Sequence, residues 1–151
     1  MNDKDFQILL VEAHEKVNRA FFLVKSSIDK NLVYKLDQSY TPEELEPFDA
    51  LSDRFIRCIE TFIKFFKTYD RYESIASALT YRDLMNIMAK LELISGVEIW
   101  INMRDVRNKI VHDYLPEQIK GMFDLIRGEF AQEIEYSKKK IDALIQAKCF
   151  E

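Results

Sequence analysis

The chain has 151 residues, 48% hydrophobic and 32% charged, with 22 Lys and Arg against 26 Asp and Glu. That length suits one domain able to bury a core without disulfides or metals, and the composition excludes a disordered chain. A net charge of −4 excludes the overall basic footprint of a bulk nucleic-acid binder, so any nucleic-acid contact has to be local or shared between subunits.

Three Gly and three Pro leave little material for turns, and an all-α fold follows. Cys58 and Cys149 lie far apart without a CxxC pattern, which fits a reducing compartment and argues against a zinc site. The start, "MNDKDFQILLVEAHEK", is acidic and amphipathic, not a basic stretch before an apolar run. No signal peptide is expected, and the expected location is cytoplasmic.

Phe6, Leu9, Leu10, Ala13, Val17, Ala20, Phe21, Val24 and Ile28 step by threes and fours, which predicts a first helix from Asp3 to Leu32. In "DQSYTPEELEP", Thr41 reads as an N-cap, Pro42 as the first helical residue and Glu44 as the return arm of a capping box. Pro47 makes that first turn suspect. The second helix carries Phe48, Leu51, Phe55, Ile59, Phe62, Ile63 and Phe66 and ends near Tyr69.

The next stretch, to Ile94, is helical in pattern, and Thr80 with Asp83 marks a new start within it. Ser95 and Glu98 read as another capping box, opening a helix over about Gly96–Asp113. Pro116 ends it by disfavouring α geometry at Leu115. A last helix starts there, with Ile119, Met122, Phe123, Ile126, Phe130, Ile134 and Ile141 along its face. About five helices on short connections make an up-and-down bundle in one domain over 1–151.

Chemistry concentrates in "MRDVRNKIVHDYLP", residues 103–116. Arg104, Asn108 and His112 are spaced by four and form one ridge. Arg107 lies five residues before His112, roughly 140° around the helix, within reach of a long guanidinium. The helix C-terminus and Asp113 both push the His112 imidazole upward in pKa, toward a general acid near neutral pH. Metal-free RNA cleavage needs a base for the 2′-OH, an acid for the leaving 5′-oxygen and a fixed cation. One chain offers one suitable imidazole, and a C2 homodimer would bring two together with their guanidiniums.

The string "RNKIVHDY" matches R-N-x-x-x-H-x-Y and resembles the signature of HEPN domains, with the final Tyr similar to the HepT branch. The four residues in that order arise by chance in only a few chains per ten thousand, roughly, whereas R-x4-H alone arises in about one in ten. The resemblance implies an all-helical endoribonuclease toxin acting as a homodimer, without metal or cofactor. It implies Arg107 and His112 as catalytic residues with Asn108 orienting them. It also implies an MNT-type nucleotidyltransferase antitoxin as partner, with Tyr114 accepting AMP from it. Arg104 is added as an auxiliary cation on geometry alone, and Asp113 as auxiliary through its charge. The alternative is a non-catalytic partner subunit of a nucleotidyltransferase.

Each residue also has an ordinary reading. Arg107 alone would be a surface cation paired with Asp105 or Glu98, His112 a helix C-terminal cation, and Tyr114 a packed ring with a wet hydroxyl. His14 lacks the second histidine of HExxH and reads as an exposed or half-buried helix residue. In "TFIKFFKTYDRY" the aromatics keep core spacing, with a base-stacking platform as a distant second reading. Trp100 reads as core or dimer contact, Met85 and Met88 as gap-fillers, and "SKKK" at 137–140 as a solvated face.

Overall fold

A computed structural model describes residues 2–73, 80–110 and 116–148. Among the described residues six α-helices carry the fold: α1 (Asp3–Asp29), α2 (Pro42–Glu73), α3 (Tyr81–Lys90), α4 (Val97–Ile110), α5 (Pro116–Leu125) and α6 (Ala131–Lys148). The last two run on through a π-helical turn at Ile126–Phe130, so they form the single long helix expected, with a break in it. No strand occurs among the described residues. The fold is an all-α helical bundle.

Local chemistry sets the helix starts. Asn2 caps α1 through a reciprocal box with Asp5. Thr41 and Glu44 exchange bonds of 3.2 and 3.1 Å at the head of α2, and Thr80 and Asp83 do the same for α3. Each box satisfies two amides the helix leaves without partners. Pro47 is accommodated inside α2.

The ends differ from expectation. Helix α1 stops at Asp29, and Asn31 turns the chain with φ of 54°. Helix α2 runs four residues past Tyr69, and α3 stops at Lys90, where Glu92 has φ of 61°.

The core is built on α2, which packs against α1, α3 and α4, while α6 packs against α1. Phe55, Phe62, Phe65 and Phe66 are fully buried, and Phe55 stacks on Phe130 of the π turn at 5.7 Å. Met85 and Met88 are buried among them, as their flexible chains suit. Of the aromatics of "TFIKFFKTYDRY", Phe62, Phe65, Phe66 and Tyr69 are core, and Tyr72 packs half-buried against it. The "SKKK" expectation holds for Lys139 and Lys140 only, because Ser137 is buried and Lys138 is half-buried. Lys138 bonds Asp142 at 2.5 Å over the Phe21 ring, and His14 reaches the same carboxylate at 2.8 Å. No described helix is long and apolar enough to cross a membrane.

Candidate functional site

Helix α4 presents the site, and its buried face decides which side chains are presented. Trp100, Met103 and Val106 point inward at helical spacing. The Trp100 ring lies 6.1 Å from Phe62 and 5.3 Å from Phe66. Its indole N–H donates to Glu133 at 2.8 Å, and Glu133 is only 4% exposed.

The same carboxyl group accepts from the Ser95 amide at 2.9 Å and from the Ser95 hydroxyl. Ser95 therefore anchors the head of α4 to α6 and does not form the expected box with Glu98, which pairs with Arg82 at 2.8 Å. A buried polar group needs its partners satisfied, and this cluster satisfies three donors at once. The lock fixes the rotation of α4 about its axis.

That rotation turns Arg104, Arg107 and Asn108 outward. Arg104 and Asn108 are exposed, one turn apart, and Arg107 is half-buried between them and α2. The Arg107 guanidinium is held from two sides. Its Nε and Nη2 donate to Asn108 Oδ1 at 3.3 and 2.9 Å, and its Nη1 donates to Glu60 of α2 at 3.2 Å. The acid partner is thus Glu60, not Asp105 or Glu98.

Arg104 lies with its Cζ 4.5 Å from the centroid of the Tyr81 ring, a cation–π contact. The Tyr81 hydroxyl donates to the Trp100 carbonyl at 2.9 Å. Burial pushes the Tyr81 phenol upward in pKa, against the pull of Arg104 and then Arg107, while Asp105 adds to the rise. Tyr81 thus stays a neutral donor and a platform for Arg104.

Of the residues singled out in the sequence, Arg107 and Asn108 are hydrogen-bonded to each other, and Arg104 lies one turn before Asn108, against Tyr81. His112, Asp113 and Tyr114 lie outside the described residues. Glu60, Tyr81 and Glu133 were missed as parts of the site, because their contacts span 47, 19 and 33 residues. Among the described residues no group of three His, Cys, Asp or Glu side chains is arranged to hold a metal ion.

A family model described as "nucleotidyltransferase substrate binding protein like" matches residues 13–143. The chain belongs to this nucleotidyltransferase substrate-binding-protein-like family. The matched span takes in α2, α3, α4 and α5 entire, with Glu60 and Arg107, and the part of α6 that carries Glu133. A comparison with curated proteins gives no match.

Proposed function

We propose that this protein is a HEPN-type endoribonuclease that works beside a nucleotidyltransferase. The observation that carries the reading is the Arg107–Asn108 pair, held by Glu60 and presented with Arg104 on the outward ridge of α4. A guanidinium fixed before substrate arrives suits a phosphate whose charge grows in the transition state. The family description supports the nucleotidyltransferase partner, and the order Arg107, Asn108, His112, Tyr114 supports the chemistry.

In this reading a scissile phosphate lies against Arg107, with Arg104 as a second cation. Two protomers of a homodimer each bring one His112. One imidazole takes the proton of the ribose 2′-OH, and that oxygen attacks phosphorus. The 5′-oxygen leaves with a proton from the other imidazole, giving a 2′,3′-cyclic phosphate and a 5′-OH. Asp113 supports the charged imidazole. No metal or cofactor takes part in these steps. Tyr114 accepts AMP from the partner enzyme, which places a bulky anion beside the site and stops cleavage.

RNA cleavage by purified protein in excess EDTA tests this. His112→Ala is expected to lower the rate at least about 100-fold, the usual contribution of a positioned acid or base. Activity that disappears with EDTA, or persists in His112→Ala, defeats the mechanism.

A second reading follows from the family description: a non-catalytic subunit that binds the substrate of a nucleotidyltransferase, with Arg104 and Arg107 on nucleotide phosphates. Expression without the partner separates the two, since only the nuclease is toxic. After co-expression with the nucleotidyltransferase, a mass increase of one AMP on the Tyr114 peptide tests the modification.

A further inference from the structure

The interleaved bases of "TFIKFFKTYDRY" are left over once its aromatics are assigned to the core. Lys64 and Lys67 emerge from α2 beside Arg57, and α1 faces them with Lys16 and Arg19. All five are exposed, and they line the groove between the two helices. Arg54 lies at one end of the groove and Arg71 at the other. Glu12 is the single acid among the lining residues of a chain in which acids outnumber bases, 26 to 22. Seven bases line the groove against that one acid.

The groove is concave because small side chains floor it. Ala13 and Ala20 come from α1, and Thr61 and Thr68 of α2 turn their hydroxyls back to the Arg57 and Lys64 carbonyls. Its two basins, of about 190 and 380 Å³, adjoin at Lys16 and Thr61, which line both. Arg54 is fixed by the Leu23 carbonyl and the Ser27 hydroxyl, at 3.2 and 2.9 Å.

Lys16, Arg19, Lys64 and Lys67 form no ion pair with any described carboxylate. Arg57 pairs with Asp53, but both are well exposed, and such a pair exchanges readily for another anion. Glu60 falls on the same face of α2, three residues after Arg57 and four before Lys64. Glu60 stands outside the lining residues, beside Arg57 and Lys64 on α2, and pairs with Arg107, so Arg107 lies next to the groove's α2 wall.

We propose that the α1–α2 groove is the track on which the phosphate backbone of single-stranded RNA lies, leading the strand to Arg107. This rests on the reading that RNA is the substrate. From Arg54 to Arg71 the track runs roughly 26 Å at 1.5 Å per residue, long enough for several phosphates. Its cations on α2 stand one or two helical turns apart, and lysine acts as a flexible point charge that suits a repeating anion. No aromatic ring among the described residues lines the groove, so the track reads charge and not bases.

The test uses the whole chain carrying His112→Ala, so that RNA stays intact, and a labelled single-stranded RNA oligonucleotide in EDTA. Anisotropy titrations at several salt concentrations give the affinity and its salt slope. About four engaged phosphates give a slope near −3, and Lys64→Gln with Lys67→Gln is expected to flatten it by about 1.4 and weaken binding at least about tenfold. Lys64→Arg with Lys67→Arg restores both. Lys139→Gln with Lys140→Gln removes the same charge from α6 and leaves both unchanged.

An unchanged slope in the groove variant overturns the track, as does an equal loss in the α6 variant. Loss of nucleotidyltransferase binding with RNA binding intact also overturns it, and makes the groove a protein interface. Groove-dependent binding without cleavage in the His112 protein keeps the track and removes the nuclease. Cleavage with KM unmoved by the groove substitutions does the reverse.

Discussion

Arg107 shows how a side chain that is ordinary by type becomes a candidate by its restraints. Two bonds to Asn108 and one to Glu60 hold its fork before any ligand is present, so less freedom is lost when a phosphate arrives. Tyr81 supports the neighbouring Arg104 while its own hydroxyl is spent on the Trp100 carbonyl. Tyr69 is a different case, because its burial bears on stability. It is 6% exposed and stacks on Phe65 at 6.4 Å. Burial, with the Glu73 carboxylate adding to it, pushes the phenol from 10.0 up to about 12. Below pH 10 the phenol is protonated in both states. Between about pH 10 and 12 the unfolded chain releases this proton and the folded chain keeps it, so stability falls as pH rises through that window. Thermal melts from about pH 9 to 12 are expected to show a shallower decline in Tyr69→Phe than in the parent. Parallel curves would remove Tyr69 as a cause.

Helices whose signals are local were legible in the sequence. The boxes at Thr41 and Thr80 form because their partners sit three residues away, and nothing else competes for them. Ser95 carries the same pattern with Glu98, yet a long-range partner takes its amide and hydroxyl. Glu133 gives no warning of this, since an acid on a polar-looking helix reads as surface. The π turn at 126–130 was likewise hidden, because the apolar spacing continues through Ile126 and Phe130. Only Gly128 marks the place, where φ and ψ of −101° and −107° leave the helical range. For the site, this means that the ridge of Arg104 and Asn108 could be read, but what aims it could not. Glu133→Ala tests the strength of the lock. It leaves the Trp100 indole and two Ser95 donors without their acceptor, which is expected to cost about 3 kcal/mol, or roughly 10 °C in Tm. Glu133→Gln recovers part of this, keeping one acceptor oxygen but turning an NH2 toward the remaining donors. A melt within about 1 °C of the parent for Glu133→Ala would mean that the lock adds nothing to stability.

At the scale of the whole molecule, a net charge of −4 masks a division of labour between faces. A sum over the chain cannot show that Lys16, Arg19, Lys64 and Lys67 gather in one groove, because the gathering depends on how α1 lies along α2. The same limit applies to assembly. The proposed chemistry needs an acid and a base at one phosphate, and the motif supplies a single imidazole, His112, per chain. The proposed mechanism therefore requires two chains to pair, and does not merely tolerate it. Cleavage per chain should then depend on protein concentration. Above the dissociation constant of the pair, specific activity is constant; well below it, dilution splits the pair and specific activity falls in proportion to concentration. The measurement is the initial cleavage rate in EDTA over about four decades of protein concentration, beside the mass seen by light scattering. The activity midpoint is expected to coincide with the change from dimer to monomer mass. Full specific activity in solutions of pure monomer would place acid, base and cation in one chain. Arg107 and His112 would then need a second proton carrier from within the same bundle, for which His14 is unsuited, held as it is by Asp142 on α6.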